Sequence, residues 1–135
     1  MKKIIKYLSV FTLVLFLSNC DNSTESESVH ELVGQYVKIE TILTIGSNVY
    51  NDFSDDNPKT LIFSGDGTYT GTKEIDGSIV NVNGTWSTNE NKLTMIQDSV
   101  TNIFDYSIID DTLNISLTEV NDGVTQIVEL IYQKQ

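Results

Sequence analysis

Lys59-Thr60-Leu61-Ile62-Phe63-Ser64-Gly65-Asp66-Gly67-Thr68-Tyr69-Thr70-Gly71-Thr72 holds the plan of the chain in miniature. Two short runs of β-branched, aliphatic and aromatic residues flank Gly65-Asp66-Gly67, whose glycines are free to take positive φ. Two such runs joined by so tight a turn predict an antiparallel hairpin.

The same pattern extends in both directions. Downstream, Asp76-Gly77 turns the chain, and Val80, Val82, Gly84 and Trp86 then share one face at period two. Residues 88–91 turn into a run at 92–96, and Asp98-Ser99 precedes a strand with Phe104, Tyr106 and Ile108 in register. After Asp110-Asp111, Leu113, Ile115 and Leu117 alternate with polar residues. Asn121-Asp122-Gly123 leads into Val124, Val128, Leu130 and Tyr132 on one face. Upstream, Val37, Ile39, Thr41, Leu43 and Ile45 are expected on one face, with Lys38 and Glu40 on the other. Residues 46–58 are a polar interruption. The result is an all-β antiparallel meander of about eight strands. It closes most simply as a small barrel, which removes the unpaired edges, and a two-sheet β-sandwich is the alternative.

Composition narrows the function. The 135 residues include 8 Lys, no Arg and 19 Asp+Glu, for a net charge of -11. One Cys and one His exclude an internal disulfide, a zinc ribbon and a multi-histidine metal site. A chain this acidic lacks the basic face that nucleic acid requires. No nucleophile is paired with a base, and no hydrolase, zinc-protease, P-loop or dinucleotide fingerprint is present. No enzymatic activity and no cofactor are expected.

The N-terminus carries an address. Lys2, Lys3 and Lys6 precede an apolar run of eleven residues, Tyr7 to Leu17. A membrane span needs roughly 20 apolar residues, so this length suits a secretory leader. Leu17-Ser18-Asn19-Cys20 resembles a bacterial lipobox, with Asn19 in place of the usual small residue. That resemblance implies a signal peptide over residues 1–19, acylation of Cys20, and anchoring in a lipid membrane. The chain from Cys20 onward keeps five lysines against 19 acids, a side-chain charge of -14. This charge argues against anionic ligands and against adhesion of the domain itself to a membrane surface. Residues 20–31 are polar and acidic and read as a flexible tether, with His30 solvated in it. An acidic run after the lipidated Cys also resembles the surface-export signal of Bacteroidetes lipoproteins. The expected location is the bacterial cell envelope, at the outer membrane.

Residues 31–135 resemble the short lipocalin-like domains of Bacteroidetes lipoproteins. Leu32-Val33-Gly34-Gln35-Tyr36 matches their L-x-G-x-W opening with Tyr36 in place of Trp. Leu61-Ile62-Phe63-Ser64-Gly65-Asp66-Gly67-Thr68-Tyr69 matches their L-x-F-x-x-D-G-T-Y segment. Gly84-Thr85-Trp86-Ser87 and Asn91-Lys92-Leu93-Thr94 match their G-T-W-x and N-x-L-x segments. The resemblance implies a barrel domain over residues 32–135, with Gly34 and Tyr36 closing one end.

The lining expected of such a barrel is Tyr69, Trp86, Phe104, Tyr106 and Tyr132, with Val82, Met95, Ile115, Leu117 and Leu130 also inward. Eight strands enclose a space that is either packed solid or just wide enough for one small ligand. About 100 folded residues favour the packed core. Two non-enzymatic functions are weighed, beside a hydrolase or cyclase that would need two acids converging in a cleft. The first is binding of a small apolar or amphipathic ligand, which needs a pocket of a few hundred Å³. The second is a surface module with a packed core that binds a protein or glycan partner. A monomer is expected in either case. Asp52, Asp55, Asp56 and Asn57 in the polar interruption are weak calcium candidates, because calcium takes carboxylate and amide oxygens.

Overall fold

The computed structural model describes residues 30–51 and 54–135. The leader, Cys20, the first ten residues of the tether and Asp52 lie outside the described residues.

Turn chemistry sets the topology. Asp76-Gly77, Asp98-Ser99, Asp110-Asp111 and Asp122-Gly123 all take positive φ at both residues. Each pair is the whole loop of a hairpin, as the flanking partners Ile75↔Ser78, Gln97↔Val100, Ile109↔Thr112 and Asn121↔Val124 show. A left-handed pair matches the twist of the strands it joins, and Asp tolerates that region because its short side chain bonds locally. In the opening hairpin only Gly67 of the two glycines takes positive φ, at 82°. Asp66 holds the rest of that turn by accepting hydrogen bonds from the amide and hydroxyl of Thr68.

Nine strands follow: β1 (Gly34–Ile45), β2 (Asn48–Asn51), β3 (Thr60–Phe63), β4 (Thr68–Ile75), β5 (Ser78–Asn89), β6 (Lys92–Gln97), β7 (Val100–Ile109), β8 (Thr112–Asn121) and β9 (Val124–Lys134). All pair antiparallel in sequence order except that β1 pairs with β2, β3 and β9. The β1–β9 pairing closes an eight-stranded barrel, and β2 is an extra strand. The barrel, rather than the sandwich, is the architecture. β2 lies within the stretch read as a polar interruption.

β1 departs from the expected alternation. Its ladder to β9 slips between Lys38 and Glu40, leaving Ile39 as a bulge that is 59% exposed. Before the bulge Tyr36 is buried, and after it Thr41 is buried, five positions on. One inserted residue exchanges the two faces of a strand. The single face of Val37, Ile39, Thr41, Leu43 and Ile45 therefore does not exist. Lys38, expected outside, stands opposite the fully buried Tyr132.

β1 also divides its other edge between two partners. Residues 34–37 pair with β3 and residues 42–45 with β2. Residues 54–59 run between these two ladders. The Lys38 ammonium binds both carboxylate oxygens of Asp55, at 2.7 and 3.0 Å, and the Thr41 hydroxyl donates to Oδ2 at 2.6 Å. The side chains of Lys38 and Asp55 are 12% and 7% exposed, so this is an interior ion pair.

The core fills one end of the barrel, the floor. Leu32, Tyr36, Phe63, Leu93 and Leu113 are all at most 1% exposed. Burial of each such side chain contributes about 1.5–3 kcal/mol. The Tyr36 and Phe63 rings pack edge to face at 6.0 Å, and Phe63 meets Trp86 in the same way at 5.6 Å. Gly34 belongs to this floor: its φ is 148°, and a Cβ there would collide with the Lys134 stem that covers Tyr36. The end-closing role implied for Gly34 and Tyr36 is what the barrel shows. His30 is not solvated. It packs on Trp86 at 5.2 Å, accepts from the Leu32 amide at Nδ1, and meets the Thr88 hydroxyl through Nε2 at 2.9 Å. Period-two reading does not register this contact, because it joins residues 58 positions apart.

Candidate functional site

Above the filled floor the barrel is hollow. A cavity of about 170 Å³ opens between β3, β4, β5, β6, β7, β8 and β9 and the chain at residues 56–58. Its foot is apolar, built by Leu61, Val82, Met95, Phe104, Ile115 and Leu130. Its mouth is polar, with Lys73, Gln97, Asn102 and Asp56, and the buried Tyr69 and Tyr132 bring a hydroxyl each to the wall. A recess of about 90 Å³ beside it reaches Leu117 and Val128 and shares Phe104, Ile115 and Leu130 with it. The packed core expected from chain length is thus confined to the floor half.

Of the five aromatic candidates, Tyr69, Phe104 and Tyr132 come together at this cavity. Trp86 does not line it. Its indole N–H donates to the Ser64 and Thr68 carbonyls at 3.1 and 2.9 Å, which ties the β3–β4 turn to the floor. Tyr106 shares the inward face but packs against the core outside the cavity lining.

The two tyrosine hydroxyls differ in their engagement. Tyr132 Oη donates to the Pro58 carbonyl at 2.7 Å, across 74 residues of sequence. Burial, and then the Asp55 carboxylate, push this hydroxyl well above the ordinary phenol value, so it remains a donor. Tyr69 Oη donates to Gln97 Oε1 at 3.5 Å, and burial followed by Asp98 raises its pKa as well.

Asp55 has an occupation other than calcium binding. Its carboxylate is engaged by Lys38, by Thr41 and by the Asn57 amide at 2.7 Å. Burial works against its charge, but these hydrogen bonds outweigh burial and hold its pKa below the ordinary 3.8. Asp56 is exposed and stands at the cavity mouth. Among the described residues no three His, Cys, Asp or Glu side chains are grouped to hold a metal ion. Among the described residues Asp56 is the one acid that lines the cavity, and no pair of described acids converges there.

Sequence reading missed Lys73, Gln97 and Asn102. The alternation through β4 holds the signal for the first. Tyr69 and Gly71 are buried on the inner face, and Lys73 is the next residue on that face.

The barrel has solved counterparts. A lipocalin-like protein from Bacteroides uniformis superposes with a TM-score of 0.55 at 12% identity, over 78% of this chain and 100% of that one. An uncharacterized protein from Bacteroides eggerthii does so with a TM-score of 0.51 at 10% identity, over 76% and 98%. A scan of family models and a search of curated proteins find no match. At these identities the likeness is one of fold, and the fold is lipocalin-like.

Proposed function

We propose that this chain is a small-ligand carrier or sensor of the bacterial cell envelope, anchored through acylated Cys20. The observation that carries the reading is the cavity, with its apolar foot and polar mouth above the filled floor of the barrel. Its volume sets the ligand class. An apolar cavity of about 150 Å³ takes up benzene, whereas drug-sized ligands occupy roughly 300–1,000 Å³. The cavity is smaller than the few hundred Å³ expected, so its occupant is one ring or a short chain with a polar end. Native mass spectrometry of the protein after exposure to a lipid and metabolite extract tests this. A one-to-one adduct that Ile115→Trp abolishes is expected, since the larger ring fills the foot. No adduct across several extracts rejects the reading.

A second reading is a docking module whose partner meets the rim. Val49, Ile79, Ile103 and Val120 stand on rim hairpins at 57–79% exposure, and the exposure of such residues favours it. Partner binding that survives Ile115→Trp would separate it from the first.

A further inference from the structure

We infer that the occupant of the cavity is a small amphipathic carboxylate, with its ring or chain in the foot and its head against Lys73. The inference rests on the cavity reading above. Five lysines lie in the described chain, and four are committed. Lys38, Lys59 and Lys92 pair with Asp55, Glu74 and Asp105. Lys134 donates to the Glu31 carbonyl and lies over the Tyr36 ring. Among the described residues Lys73 makes no hydrogen bond and no ion pair, although the chain is rich in acids.

The position of Lys73 is not that of a solubilising surface lysine. It stands opposite Val80 on the inner face, half-buried, and lines the cavity. Partial desolvation of an ammonium is unfavourable unless an anion or a set of acceptors meets it. The apolar foot offers none, and because every buried side-chain nitrogen and oxygen in the described residues has a partner, the unpartnered Lys73 ammonium lies at the solvent-reached mouth. The mouth is therefore where a ligand's polar group belongs. Asn102 lines the same mouth and brings an amide N–H that a carboxylate accepts.

Two opposing charges bear on the assignment. The acidic total of the chain repels anions at long range, but salt screens that field beyond about 8 Å, and a contact with Lys73 is far shorter. Asp56 lies at the mouth too, yet it is exposed while Lys73 is half-buried, so water weakens Asp56 more.

The test uses three water-soluble probes with one apolar body: 3-phenylpropionate, 3-phenylpropionamide and 3-phenylpropylamine. Each is titrated by calorimetry into the full chain held in lipid nanodiscs, with empty nanodiscs as the blank. The carboxylate is expected to bind about tenfold more tightly than the amide, as a charge-assisted contact gives. Lys73→Gln is expected to bring the carboxylate down to the level of the amide, with an unchanged circular dichroism melt showing that the barrel is intact. Lys73→Arg is expected to keep the preference. Equal binding of carboxylate and amide, or tightest binding of the amine, overturns the role of Lys73 and leaves the cavity reading standing. Binding of none of the three overturns the cavity reading, and the carboxylate assignment with it.

Discussion

Asp55 and Tyr132 hold residues 54–59 from two directions, one through the Lys38 ammonium and the other through the Pro58 carbonyl. Removal of one partner of a buried ion pair leaves the other charge stranded, at a cost of about 3–5 kcal/mol. Asp55→Ala is therefore expected to lower the urea midpoint sharply, whereas the double variant Lys38→Met with Asp55→Leu recovers most of the loss. If the single and double variants unfold together, the pair has no such role. Gly84 is critical for a different reason. It lies opposite Tyr69, and a methyl at its Cα would overlap the Ile96 carbonyl and crowd the Tyr69 ring. The carbonyl belongs to a strand ladder and cannot yield. Gly84→Ala is expected to cost about 2–3 kcal/mol, a fall in melting temperature of roughly 10 °C or more by circular dichroism.

At the scale of elements, β1 is the strand whose partners change along its length. Its ladder with β9 is long, but β2 adds only Asn48–Asn51, all four residues exposed. Few buried contacts make an element open locally at little cost. In hydrogen exchange, amides of β2 are expected to exchange well before those of β8 and β9, and equal protection would contradict the picture of an accessory strand. The hairpins were legible in sequence because each is a local event, a left-handed residue pair between two alternating runs. The bulge was not. Lys38-Ile39-Glu40 alternates faultlessly, and nothing local says that Ile39 is extruded or that Lys38 turns inward. The inward Lys38 meets Tyr132 and Asp55, both distant in sequence. The same limit explains the site. Tyr69, Phe104 and Tyr132 were found from their faces. Trp86 shares that face but lies at the floor, and alternation gives a side and not a height along the barrel axis.

For the whole molecule, the titrating groups define a pH window. Asp55 has a folded pKa below 3.8, so its contribution is present above that value and is lost as the pH falls beneath it. The Tyr36 hydroxyl is pushed up to about 12 by burial, then by Asp111 and Glu31. Its contribution is present below the ordinary value of 10 and is lost as the pH rises toward 12. Thermal melts followed by Trp86 fluorescence are expected to show a plateau between about pH 4 and 10. Asp55→Asn should reduce the acid shoulder and Tyr36→Phe the alkaline one, the remainder of the alkaline shoulder belonging to Tyr69 and Tyr132. A melt temperature that varies steadily across the plateau would point to other groups. The sequence alone foretold a closed meander, since turns and alternation are repeated along it. The hollow half was hidden, because a void is a property of how walls meet.

Both ends of the described chain lie at the floor. Leu32 is buried there, and Gln135 donates its amide to the Gln35 carbonyl beside it. The mouth opens at the opposite pole. A dye or a surface linkage placed at His30 or Gln135 therefore grips the described barrel by its base, like a goblet held by the stem. Such attachments leave the bowl unobstructed, and sensors built on immobilised protein are best coupled there.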